Sequence, residues 1–191
     1  MSDILKHLPN VLTAVRIFLT PICVYFLISQ YNPLYAFIFF SIASITDAFD
    51  GYYARKYNAT SRLGAFLDPL ADKIMVVSIF FCFFYMYNHI VDIYVLLMIV
   101  FRDVLVTFIR MIMEYKGHTM TTSNISKIKT ALQIIAINLM FVAIIFKLEK
   151  LYPYSNILYL LIFITALITF YTGVHYLTSN YKKIKSLFAI K

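Results

Sequence analysis

The sequence predicts an all-α integral membrane protein, a six-transmembrane-helix bundle with both termini cytoplasmic. Three observations carry this. First, 62% of the 191 residues are hydrophobic and only 14% are charged, whereas a soluble domain carries about 25% charge. Second, the apolar residues gather into six stretches long enough for a hydrocarbon core of about 30 Å, which takes roughly 20 helical residues. Third, Lys and Arg are unevenly shared among the connections, and basic residues mark the cytoplasmic side.

The stretches run 11–29, 34–53, 69–87, 93–114, 128–146 and 157–177. The first is long for a signal-peptide core, lacks a small-residue cleavage site and is followed by further spans, so it reads as a retained helix. With 18 Phe and 16 Tyr but no Trp, interfacial anchoring falls to Tyr and to basic side chains. Cys23 and Cys82 each sit inside an apolar stretch, which predicts two free packed thiols rather than a disulfide or a zinc site.

Connections 30–33 and 88–92 contain no Lys or Arg. Arg55, Lys56 and Arg62 occupy the second connection, and Lys116, Lys127 and Lys129 flank the fourth. Lys6 precedes the first stretch, and Lys182, Lys183, Lys185 and Lys191 follow the last. Both termini and these two connections are therefore expected in the cytoplasm. Lys147 and Lys150 run against the rule and are partly offset by Glu149. The net charge of +8 then faces membrane lipid, whose anionic headgroups attract basic residues. It is dispersed among spans rather than gathered on a soluble face, so no nucleic acid is expected as a partner. With no repeat, low-complexity run or linker, residues 1–191 read as a single multi-pass domain in the cytoplasmic membrane.

The acidic residues are more specific. Of nine, four lie within one short segment: Asp47 and Asp50 at the end of the second stretch, Asp68 and Asp72 at the start of the third. Asp costs on the order of 3 kcal/mol at a membrane-helix centre and less near the interface, so such groups are normally functional or paired. Spacings of i, i+3 and i, i+4 put each pair on one helical face. A short connection makes the two helices antiparallel, so all four carboxylates can meet at the cytoplasmic surface. Hard divalent cations prefer such oxygen ligands, often beside substrate phosphates. Salt bridges to Arg55, Arg62 and Lys73 are a second reading. A divalent-metal transport site is a third, although those favour broken helices at the bilayer midplane. Two of the four glycines fall here. Gly51 follows Asp50, where a missing Cβ admits a ligand close to the backbone. Gly64 suits a turn entering the third helix, and Arg55 is placed to meet phosphate.

Written out, the segment is Asp47-Ala-Phe-Asp50-Gly51-Tyr-Tyr-Ala54-Arg55, eight residues, then Gly64-Ala-Phe-Leu-Asp68-Pro-Leu-Ala-Asp72. It resembles the signature of the CDP-alcohol phosphatidyltransferases, D-x2-D-G-x2-A-R-x8-G-x3-D-x3-D, at every fixed position. Six spans with cytoplasmic termini resemble that family's fold as well, over nearly the whole chain. The resemblance implies a site for two divalent ions, Mg²⁺ or Mn²⁺, held by Asp47, Asp50, Asp68 and Asp72, with Asp72 as general base. It places Gly51, Ala54, Arg55 and Gly64 at the CDP group, on the cytoplasmic face of a homodimer. The implied reaction is attack by an alcohol on CDP-diacylglycerol with release of CMP.

Other segments address the alcohol. Pro9-Asn10-Val-Leu-Thr13-Ala-Val-Arg16 resembles P-N-x-L-T-x-x-R, found in the phosphatidylglycerophosphate synthases of this family and also in its cardiolipin synthases. Asn10, Thr13 and Arg16 are then expected beside the nucleotide; equally open are an N-cap at Asn10 and a snorkelling Arg16. Ser126-Lys127-Ile-Lys129-Thr130 with Gln133 resembles G-K-x-K-T-x-x-Q of the same synthases, with Ser126 in place of glycine. Lys127, Lys129 and Arg110 are expected to bind the phosphate of glycerol 3-phosphate. Cytoplasmic anchoring is the plainer reading of the lysines. Arg102 and Asp103, where the synthases carry R-E, read either as a structural pair or as substrate contacts. Glycerol 3-phosphate is the expected acceptor, and phosphatidylglycerol, the cardiolipin synthase acceptor, is the alternative.

Overall fold

A computed structural model describes residues 2–29, 32–57, 62–116 and 124–188; the side chains at 2–10, 47–57, 62–69, 72, 114, 124–127, 182 and 186–188 lie outside the description. The described elements are helices: α1 (Ser2–Ile28), α2 (Pro33–Tyr57), α3 (Arg62–Met86), α4 (Ile93–Tyr115), α5 (Asn124–Ile145), α6 (Tyr154–Ser179) and α7 (Tyr181–Phe188), with a 3₁₀ turn at Leu148–Lys150. Each predicted stretch lies within one of α1 to α6, give or take a residue at its end. The windows Val11–Ile28, Ile128–Ile145 and Tyr154–Ser179 are long and apolar enough to cross a membrane. The described apolar parts of α2 and α3, Pro33–Thr46 and Lys73–Met86, are shorter. α4 is as long as a span but carries Arg102, Asp103 and Arg110.

The helices run beyond the hydropathy pattern. α1 begins at Ser2, α2 continues to Tyr57, and α3 begins at Arg62 rather than near Pro69. Hydropathy registers lipid contact, whereas helical hydrogen bonding continues past it. α7 is a further helix over residues read from sequence as a basic tail. Its apolar Tyr181, Ile184, Leu187 and Phe188 recur at helical spacing among Lys182, Lys183 and Lys185, the pattern of a helix lying on an interface.

The chain forms two compact units, Met1–Cys82 with Phe141–Phe146, and Phe83–Met140 with Lys147–Lys191. In the first, α1 packs on α2. Thr13, Arg16, Thr20, Cys23 and Leu27 recur every three or four residues and are all buried, forming one stripe of α1. On α2 the buried Ala36, Phe40 and Ala43 follow the same period. The alanines allow close backbone approach, and the Cys23 thiol donates to the Ala36 carbonyl at 3.2 Å. Phe26 stacks on Phe39 with ring centroids 5.5 Å apart. Both cysteines are free and buried, as the sequence predicts. A maleimide is therefore expected to label neither thiol in the folded protein and both after unfolding, read by mass spectrometry.

In the second unit α4 packs on α6, and α7 touches both. Asp92 caps α4 by accepting from the Val95 amide at 2.8 Å, the usual N-cap arrangement. The Tyr159 hydroxyl donates to the other Asp92 oxygen at 3.3 Å. Nearby, His89 Nε2 donates to the Glu149 carbonyl at 3.3 Å. The Tyr87 ring meets the His89 ring edge-on, their centroids 6.5 Å apart. These contacts tie residues 87–92 to the α5–α6 connection.

Candidate active site

The predicted site residues divide between the two units. Asn10, Thr13, Asp47, Asp50, Gly51, Ala54, Arg55, Gly64, Asp68 and Asp72 fall in the first; Arg110, Lys127 and Lys129 fall in the second. Asp47, Asp50, Gly51, Ala54 and Arg55 all lie on α2, and Gly64, Asp68 and Asp72 all lie on α3. Their side chains are outside the described residues. The helical backbone is within them, so the i, i+3 and i, i+4 spacings fall on true helical turns. Gly64 sits in the first turn of α3, inside the helix and not in a turn leading to it.

α1 runs beside α2. Phe26 meets Tyr35 and Cys23, a turn earlier, meets Ala36, so α1 runs back as α2 runs on and the two are antiparallel. With equal rise per residue, ten residues back from Cys23 is Thr13, and ten on from Ala36 is Thr46, next to Asp47. Thr13 is thus level with the turn of α2 that begins the acidic segment, and Asn10 lies one turn further along. Asn10 is no N-cap, because it lies well inside α1. Arg16 does not snorkel either, because it is fully buried on the same stripe as Thr13.

Among the described residues no group of three His, Cys, Asp or Glu side chains is arranged to hold a metal; the four aspartates lie outside that search. Their chemistry suits a hard divalent cation. They supply carboxylate oxygens only, in pairs on successive turns of two helices, with no soft ligand nearby in sequence.

Of the basic residues predicted for the site in the second unit, the two whose side chains are described differ in burial. Arg110 is exposed on α4. The Lys127 side chain is outside the description. Lys129 is only 1% exposed and forms an ion pair with Asp103. Asp103, fully buried, also accepts from Arg102 Nη1 at 3.0 Å and from Gln133 Nε2 at 3.0 Å. The structural pairing of Arg102 with Asp103 is therefore present. The link to Lys129 was not foreseen, because 26 residues and a helix boundary separate the partners. A signal existed: Asp103 is an acid in the middle of an apolar helix, and Lys129 and Gln133 share one face of α5 at i, i+4. Thr169, which Gln133 reaches at 3.5 Å, and Gly173 carry no comparable signal.

A profile of the CDP-alcohol phosphatidyltransferase family matches residues 6–176. Similar proteins include one from Wigglesworthia glossinidia brevipalpis, 38% identical over 69% of this chain and 74% of that protein. One from Bacillus subtilis (strain 168) is 30% identical over 94% of this chain and 98% of its own length. One from Escherichia coli (strain K12) is 30% identical over 91% and 94%. All three are named CDP-diacylglycerol–glycerol-3-phosphate 3-phosphatidyltransferase. With its two acidic helical segments in place and a match across both of its units, the chain belongs to the CDP-alcohol phosphatidyltransferase family.

Proposed function

We propose that this chain transfers the phosphatidyl group of CDP-diacylglycerol to glycerol 3-phosphate, giving phosphatidylglycerol phosphate and CMP. The observation that carries the acceptor is that the Bacillus and Escherichia relatives, named for this reaction, align over nine-tenths or more of both chains. In this reading α1 to α6 all cross the cytoplasmic membrane, with both termini and the acidic segments on the cytoplasmic side. The Lys and Arg distribution supports that orientation. The active form is a homodimer, and residues 1–191 work as one catalytic domain.

Asp47, Asp50, Asp68 and Asp72 hold two Mg²⁺ or Mn²⁺ ions. Bound there, the ions offset the pyrophosphate charge and stabilise the departing oxygen. Gly51, Ala54 and Gly64 leave room for the cytidine diphosphate, Arg55 meets its phosphates, and Asn10 and Thr13 border it from α1. Arg110, Lys127 and Lys129 take the phosphate of the acceptor. The acceptor hydroxyl oxygen bonds to the phosphorus that carries the diacylglycerol. The bond from that phosphorus to the CMP oxygen breaks, and the hydroxyl proton passes to Asp72. A carboxylate of ordinary pKa near 4 is a weak base, so Asp72 acts by position, within hydrogen-bond reach of the oxygen that loses its proton.

The test is CMP release by the purified protein in detergent with Mg²⁺, comparing glycerol 3-phosphate, phosphatidylglycerol and no acceptor. Turnover is expected only with glycerol 3-phosphate. Turnover only with phosphatidylglycerol refutes the acceptor while keeping the reaction class, and no CMP release with either refutes both.

A further inference from the structure

Asp103 lies fully buried on α4, where an ionised carboxylate is tolerated only among partners. Its oxygens divide the work. Oδ1 accepts from Arg102 Nη1 at 3.0 Å and from Lys129 Nζ, while Oδ2 accepts from Gln133 Nε2 at 3.0 Å. Arg102 comes from Asp103's own helix, and Lys129 and Gln133 come from one face of α5. The Gln133 amide continues to Thr169 Oγ1 on α6 at 3.5 Å. That hydroxyl's hydrogen is committed to the Thr165 carbonyl at 2.7 Å, so Thr169 meets Gln133 as an acceptor. Arg102 in turn is confined by α6, since a Cβ built on Gly173 would stand 2.5 Å from Arg102 Cγ. The carboxylate is therefore fixed from three helices, and it fixes the Lys129 stem.

A carboxylate that served only to join helices would be neutralised by Arg102, its neighbour. The second cation exceeds what Asp103 needs, and it comes from the segment read above as the acceptor's phosphate contact. We infer that Asp103 is a positioning residue for the acceptor. It sets where the Lys129 ammonium stands and makes a buried ammonium tolerable, so the lysine meets a phosphate preorganised rather than on a freely rotating four-carbon stem. This rests on the proposed role of Lys129.

Steady-state CMP release, varying glycerol 3-phosphate and CDP-diacylglycerol separately, tests it. Asp103→Asn is expected to raise KM for glycerol 3-phosphate about tenfold or more, the scale of a lost hydrogen bond to a charged group. KM for CDP-diacylglycerol should stay within about twofold, which marks a lost binding interaction on one substrate alone. Asp103→Glu restores the charge and should recover most of the loss. On a Lys129→Met background Asp103→Asn should add nothing, because the two act as one unit. An unchanged KM for glycerol 3-phosphate, or both KM values and kcat shifting together with a lowered melting temperature, overturns the inference in favour of a purely structural clamp. If Asp103→Asn fails to accumulate, Lys129→Met reads the same contact; an unmoved KM for glycerol 3-phosphate there overturns it too. A wild-type protein that ignores glycerol 3-phosphate instead refutes the proposed function, before any variant is compared.

Discussion

Asp68→Asn is expected to abolish CMP release while the protein accumulates in the membrane and melts as the wild type does. Asn keeps the size of Asp and one of its oxygens but removes the charge that a hard cation needs. Asp and Asn have similar helix propensities, so α3, which runs unbroken through this position, is not weakened. Charge stabilisation by a bound metal amounts to several kcal/mol. The corresponding fall in turnover is about a thousandfold or more. Raising Mg²⁺ should recover a small part of it, because weakened affinity can be met by mass action. The measurement is CMP release at saturating substrates beside a thermal melt in detergent. Activity within about tenfold of wild type would remove Asp68 from the metal site.

Gly173→Val is expected to fail for a different reason, by displacing Arg102. The atom that a new Cβ meets is Arg102 Cγ, at 2.5 Å, with Cβ and Cδ at 3.5 and 3.6 Å. That is the root of the side chain, which cannot swing away as its guanidinium end can. Overpacking of this kind costs about 1–3 kcal/mol. With Ala, a helix-propensity gain of about 0.5–1 kcal/mol partly offsets the clash. Val is larger, and its branched side chain is also stiffer in a helix, so the clash prevails. The expected result is a clear drop in melting temperature and lower activity, with Gly173→Ala falling between Val and wild type. A Val variant that melts as the wild type would show that Arg102 has room the packing does not suggest.

What the sequence shows of this molecule depends on the range of the interaction concerned. The helix centres are visible because about 20 apolar residues in a row leave few alternatives. The helix ends are not. Ser2–Asn10 and Ala54–Tyr57 are polar enough to read as connection, yet the helices continue through them. The acidic segment is legible because its spacing is local. Thr13 beside the start of that segment requires the antiparallel register of α1 and α2, which rests on contacts such as Cys23 with Ala36. The pairing of Asp103 with Lys129 is further from view, since each residue has a plausible local explanation: Arg102 for the acid, cytoplasmic anchoring for the lysine.

The same pairing bears on how the protein is made. Arg102, Asp103 and Arg110, with Glu114 at the end, give α4 four charges, and each such residue costs about 2.5–3.5 kcal/mol at the centre of an inserting helix, less toward its ends. Left by itself in the translocation channel, α4 has little reason to enter lipid. α5 brings the Lys129 and Gln133 that satisfy Asp103, and α6 brings the Thr169 and Gly173 surface beside them. The favourable moment for α4 to leave the channel therefore comes late, when the ribosome has delivered the helices that complete its polar face. In the proposed six-span topology these three helices are expected to enter the bilayer as a group, and a chain cut short before α5 is expected to leave α4 at the membrane surface.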